Sequence, residues 1–190
     1  MVRVTSASTR FTVAEYFKMA RGGLLGDRRT ELLNGRIYRM APQLGPHMSS
    51  LTKGAKLLLN LCPPGEWIII GGTMRADKYS APEPDLLWLP VPIGTPPPQW
   101  PTPILLIEIS DTTYKKDSGV KLRKYAEHAI SDYWIVNIRD ERVEVCRDPQ
   151  NPTGIPTDCG YGSIEHFTRG QSISLLQRPQ VSLAVDDLLP

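Results

Sequence analysis

Ile104-Leu105-Leu106-Ile107-Glu108-Ile109-Ser110 sets five aliphatic residues around a single charge. Both alternating faces of this stretch are apolar, the pattern of a strand lying inside a sheet that is covered on both sides. A carboxylate buried there without a partner is expensive, so Glu108 needs a cation, a buried salt bridge or a bound metal. Asp85, twenty-three residues earlier, opens a second stretch of the same kind, Asp85-Leu86-Leu87-Trp88-Leu89, directly after Pro84. Two carboxylates on two buried strands are the feature from which the fold and the chemistry are read.

Downstream of Ser110 the pattern predicts a helix from about Tyr114 to Ala129. It leads into a strand at Tyr133-Trp134-Ile135-Val136, a turn near Arg139-Asp140 and a strand at Val143–Cys146. The strand, helix, strand passage is a crossover, and the turn adds an antiparallel hairpin, so the sheet is mixed. Upstream, Thr12 and Glu15 have capping-box spacing before a helix over Val13–Ala20. Asn34-Gly35 reads as the turn of a hairpin within Glu31–Met40. A second helix is expected from Pro46 to Cys62, stopped by Pro63-Pro64, and a further strand at Trp67–Ile70. Seven prolines between Pro90 and Pro103 make that stretch (90–103) an extended, proline-rich surface loop. Ser163–Phe167 and Ile173–Leu176 are read as edge strands. The expected class is therefore α/β (α+β mixed), a central mixed sheet flanked by helices, in one domain over 1–190 with residues 1–10 a flexible N-terminus.

With 190 residues, 41% of them hydrophobic, the chain can bury a sizeable core. A net charge of +2 does not by itself mark a nucleic-acid binder, nor does it exclude a local basic surface. Cys62, Cys146 and Cys159 are odd in number and widely spaced, which argues against a disulfide framework and a zinc knuckle. No apolar run reaches membrane-spanning length and the start lacks a secretory signal, so no membrane partner is expected and the location is read as cytoplasmic.

Neighbouring strands can bring Asp85 and Glu108 to one Mg²⁺, with the Ile109 carbonyl as a third oxygen ligand. Hydrolysis of a phosphodiester also needs a cation to stabilise charge developing on phosphorus. Asp117, Lys121 and Tyr125 are spaced four apart on the helix after Glu108. The strand rises roughly 6–7 Å from Glu108 to its end, and the helix returns roughly 6 Å from Asp117 to Lys121. Lys121 can therefore reach the carboxylates, whereas a helical wheel turns Lys124 to solvent. His47, set among helix-start residues, is a candidate to sit near the site, and the bland alternatives stand beside these readings: Asp117 and Lys121 as a simple helix salt bridge, Glu31 as a solvated residue before the hairpin, His47 as an exposed or structurally bonded histidine, and Trp67, Trp88 and Trp134 as core.

The order Pro84-Asp85, Glu108-Ile109-Ser110, Asp117, Lys121, Tyr125 and Tyr133-Trp134-Ile135-Val136 resembles the PD-(D/E)XK nuclease superfamily, and within it the Uma-two family of restriction-endonuclease-like proteins. Glu31-Leu32-Leu33-Asn34-Gly35 and Met40-Ala41-Pro42 are similar to that family's N-terminal element, so the resemblance spans about Phe11 to Val145. It implies a restriction-endonuclease-like core, Mg²⁺ dependence with Mn²⁺ as a substitute, and nucleic acid, DNA in the first instance, as substrate. It also implies catalytic roles for Asp85, Glu108, Lys121 and Glu31: Asp85 and Glu108 hold the metal, and Glu31 is an outer or second-metal ligand. Lys121 replaces the lysine usual two residues after the glutamate, where this chain has Ser110. Enzymes that cut both strands commonly act as symmetric pairs, so the resemblance extends to a homodimer. The competing reading is a non-catalytic binding or scaffold domain whose Asp85, Glu108 and Lys121 form a structural charge cluster. A small-molecule enzyme is disfavoured because the chain has no phosphate-cradling glycine loop.

Overall fold

The computed structural model describes residues 9–91, 101–151 and 153–190. Most of the proline-rich stretch and of the N-terminus expected to be flexible lies outside the described residues. The chain divides into two compact units, one formed by Met1–Met40 with Thr73–Pro82, the other by Ala41–Gly72 with Glu83–Pro190.

The first unit is a helix on a hairpin. Helix α1 (Val13–Arg21) opens with the expected capping box: Thr12 Oγ1 accepts the Glu15 amide and the Glu15 carboxylate accepts the Thr12 amide. Strands β1 (Thr30–Leu33) and β2 (Arg36–Arg39) pair antiparallel around Asn34-Gly35, both at positive φ, as a two-residue hairpin turn requires. Val13, Tyr16, Leu32 and Ala81 form its core. Leu32 and Ala81 exchange backbone hydrogen bonds, which tie Thr73–Pro82 to the hairpin.

The second unit holds a six-stranded mixed sheet in the order β3 (Trp67–Ile70), β4 (Leu86–Leu89), β5 (Leu105–Ser110), β6 (Asp132–Asn137), β7 (Arg142–Gln150), β8 (Gly160–Thr168). Only β5 and β6 run parallel, joined by the helical crossover; all other neighbours are antiparallel. One face is apolar. Ile107, Trp134 and Val145, consecutive in register, pack with helix α2 (Gly45–Leu61), the hairpin β9 (Ser172–Leu175) and β10 (Arg178–Ala184), and Leu188 and Leu189. Gly54 permits α2 to lie close to β4, since a Cβ there would sit 3.0 Å from Leu86 Cδ1. The opposite row, Glu108, Ile135, Glu144 and His166, is largely polar.

Three expectations are corrected. Ile173–Leu175 does not join the main sheet as an edge strand; it pairs with β10, whose Pro179 and shifted register between Arg178 and Ser182 break the alternation that marks a strand in sequence. The crossover is helical from Tyr114 to Glu127, close to the expected Tyr114–Ala129, but it is not a regular α-helix throughout. It is a short turn α3 (Tyr114–Lys116), a π-helical turn over Asp117–Lys121, and α4 (Leu122–Glu127), followed by Ala129 at φ 54°. Strand β7 runs to Gln150, four residues beyond the expected Cys146, because its pairing with β8 persists to Gly160. Among the described residues no helix is long and apolar enough to cross a membrane.

Candidate active site

Asp85 immediately precedes β4. Its carbonyl accepts the Gly71 amide at 2.9 Å, which continues the β3–β4 ladder by one residue. Leu86 lies opposite Ile107, so the next step of the same register sets Asp85 opposite Glu108. Directly opposed residues of an antiparallel pair project on the same face with Cβ atoms about 4.5–5.5 Å apart. The Asp85 carboxylate is pinned at both oxygens. Oδ2 accepts the Ile109 amide at 2.8 Å, while His47 Nε2 and Gln43 Nε2 stand 3.3 and 3.5 Å from Oδ1.

Glu108 is 2% exposed in the middle of β5. Its Oε1 accepts hydrogen bonds from Lys121 Nζ at 2.7 Å and from the Tyr125 hydroxyl at 2.6 Å. Lys121, also buried, lies 3.4 Å from the Glu83 carbonyl and 3.9 Å from Asp117 Oδ1. The π-turn places both of its ends, Asp117 and Lys121, against the sheet; such one-turn widenings recur where a helix must present particular side chains. Ser110, two residues after Glu108, donates its hydroxyl to Asp117 Oδ2 at 2.7 Å, and Thr113 does so at 2.5 Å. Burial raises the Asp117 pKa, opposed by Lys121 and the two hydroxyl donors. Tyr133 closes the cluster, donating to the Asp117 carbonyl at 3.0 Å and packing edge-on against Tyr125. Its hydroxyl is held neutral far above the ordinary range by burial and by Glu108 and Asp117.

The structure thus brings Glu108, Lys121 and Tyr125 into contact and sets Asp85 across the strand pair from Glu108. Ile109 offers its amide to Asp85; the N–H and C=O of one extended residue point to the same strand edge, so its carbonyl faces the side of Asp85, past the end of β4. Glu31 is fully buried in β1 of the first unit rather than solvated ahead of the hairpin. Lys124 is corrected outright. It is 3% exposed, with Nζ on Glu127 Oε2 at 2.6 Å. Helix α4 packs against β7, β8 and the turn Pro156–Asp158, a cover supplied by residues later in the chain and invisible to a helical wheel. Gln43 carries no signal in the sequence, and His47 and Tyr125 are legible only once Asp85 and Lys121 are taken as anchors.

The donor set fits a hard divalent cation. Asp85 and Glu108 project from opposed positions of β4 and β5, and the three neighbours of Asp85 use at most three of the roughly four lone-pair sites of a carboxylate. Lys121 adds positive charge beside them.

Residues 13–186 match the family model Uma2, described as "Putative restriction endonuclease". Among solved structures, the chain is similar to one from Anabaena variabilis titled as a putative nuclease belonging to DUF820, at 15% identity and a TM-score of 0.67, covering 94% of this chain and 97% of that one. No curated protein matches. The fold is nuclease-like, with the central mixed sheet and flanking helices of the restriction-endonuclease class.

Proposed function

The chain belongs to the Uma2 family of restriction-endonuclease type, and from that membership together with the Asp85, Glu108 and Lys121 geometry we propose a Mg²⁺-dependent endonuclease that hydrolyses DNA phosphodiesters. The observation that carries the proposal is Lys121 Nζ, buried 2.7 Å from Glu108 on the strand beside Asp85. Asp85, Glu108 and the Ile109 carbonyl would hold Mg²⁺, or Mn²⁺ in its place; when bound, the metal activates water and offsets phosphate charge. Lys121 stabilises charge on the phosphoryl oxygens as the P–O bond to the leaving group breaks. Tyr125 and the Asp117 carboxylate hold the ammonium and Glu108 in a fixed arrangement, so little reorganisation is needed during reaction. The proposal includes a cytoplasmic location and a homodimer that addresses both strands.

The buried Glu108–Lys121–Tyr125 contact also suits a second reading, a non-catalytic domain with a structural charge cluster. Supercoiled plasmid decides between them. Nicking or linearisation with Mg²⁺ or Mn²⁺, none with EDTA, and none by a folded Glu108→Ala variant is the expected result. Equal trace cutting by both proteins would favour the scaffold.

A further inference from the structure

We infer that His47 is a positioning residue that fixes the Asp85 carboxylate for metal binding; this rests on the metal-dependent reading of the site given above. His47 lies in the first turn of α2, which begins without a side-chain cap. Its side chain is 12% exposed, with Nε2 3.3 Å from Asp85 Oδ1. Its other nitrogen, Nδ1, is buried with no hydrogen-bond partner among the described residues.

The two nitrogens settle how the ring acts. A neutral imidazole carries one N–H and one acceptor nitrogen. A proton on Nδ1 would be a buried donor without an acceptor, and would turn the Nε2 lone pair onto a carboxylate. A proton on Nε2 instead lies on the nitrogen 3.3 Å from Oδ1, a close electrostatic contact rather than a well-formed hydrogen bond, and leaves Nδ1 as the acceptor nitrogen. A metal-ligating histidine normally donates its other N–H to a carboxylate or carbonyl; Nδ1 has neither, so the geometry suits a donor to Asp85 rather than a ligand. The Ile109 amide holds one oxygen of Asp85, and His47, with the more distant Gln43, holds the other. Without His47 the carboxylate keeps the Ile109 amide and the more distant Gln43 but is held less tightly at Oδ1, and the metal must supply that ordering on binding.

Calorimetry with Mn²⁺ alone tests this on wild type, His47→Ala, His47→Gln and Glu108→Ala, with melting temperatures taken alongside. The expected result is Mn²⁺ affinity about 10- to 100-fold weaker in His47→Ala, a typical effect of losing such a partner, and most of it restored in His47→Gln, whose amide N–H₂ reaches the place of Nε2. In cleavage assays kcat should fall with KM for DNA unmoved. If His47→Ala does not fold, His47→Asn, too short to reach Oδ1, takes its place. Wild-type affinity in His47→Ala or His47→Asn overturns the inference alone, as does a folded His47→Gln that binds as weakly as the alanine variant, which would make the imidazole itself a ligand. A wild type that binds no Mn²⁺, indistinguishable from Glu108→Ala, overturns the metal reading and the inference with it.

Discussion

Lys121 Nζ and Glu108 Oε1 meet at 2.7 Å with both side chains almost wholly shielded from water. The pair joins two elements that sequence places thirteen residues apart, the π-turn and the central strand β5. Bringing two charges into a low dielectric costs several kcal/mol each, and their attraction offsets this only when the remaining polar atoms are satisfied. Tyr125, Asp117 and the Glu83 carbonyl supply those partners. The ammonium is thereby held against Glu108, the arrangement on which the proposed catalytic role of Lys121 rests.

Replacing either of the two lysines separates these effects. Lys121→Ala leaves Glu108 buried without its cation, so we expect a loss of about 3–5 kcal/mol in stability by denaturant unfolding. Well below its melting temperature, the variant should cleave DNA about 100- to 1000-fold more slowly in single turnover, with affinity little changed. Lys124→Ala should cost between about 1 and 3 kcal/mol, because its ion pair with Glu127 is buried on the lysine side and partly open to water on the glutamate side, and leave turnover unchanged. A catalytic loss confined to the Lys124 variant would reassign the cation.

Asp117 gives a pH dependence with a definite sign. Burial raises its pKa, so the folded protein holds a proton at pH values where the unfolded chain has released it. Its ionisation therefore lowers stability as pH rises from the ordinary carboxylate value near 3.8 through the raised one. Ser110 and Thr113 donate more strongly to the ionised form, where each such bond is worth about 1.5–3 kcal/mol. Ser110→Ala and Thr113→Val should push the pKa further up and destabilise the protein more at pH 7 than at pH 4. Carboxyl chemical shifts and unfolding curves at the two pH values measure both effects.

Much of this was legible in the chain. The five aliphatic residues around Glu108 placed it in a buried strand, and the four-residue spacing of Asp117, Lys121 and Tyr125 put the cation on its helix. Register did the rest for Asp85, opposite Glu108 because both strands are short and fully buried. What stayed hidden depends on contacts distant in sequence. The turn Pro156–Asp158 packs against α4, which carries Lys124, the π-turn answers to Ser110 and Glu108 at once, and His47 meets Asp85 through the placement of α2, whose Gly54 lies close to Leu86.

Gly35 tests the first unit by itself. Its φ is +77°, and a Cβ there would fall 2.6 Å from Arg10 Cβ and 3.1 Å from Arg10 Cα. Its amide also donates to the Tyr79 carbonyl at 2.6 Å, so the turn cannot move away without losing that bond. We expect Gly35→Ala to cost more than about 1 kcal/mol, the ordinary penalty for a side chain at positive φ. Amide exchange should rise across β1, β2 and Thr73–Pro82 while the six-stranded sheet keeps its protection.

Cys146 sets the alkaline limit. It is fully buried on β7, where desolvation and then the Glu144 charge push its thiol from an ordinary 9.0 up to about 12. The unfolded thiol ionises first, so the contribution of Cys146 to stability is intact below pH 9 and is lost as pH climbs towards 12. Burial moves the hydroxyls of Tyr133 and Tyr161 the same way, and the losses act together. Melting temperature should therefore fall progressively above pH 9. Native protein at pH 8 should leave Cys146 unmodified by a thiol reagent until urea unfolds it, because the attacking thiolate is absent and the sulfur is covered. Rapid labelling of Cys146 in the folded protein, identified by peptide mass, would show that β7 opens far more readily than its pairing on both edges implies.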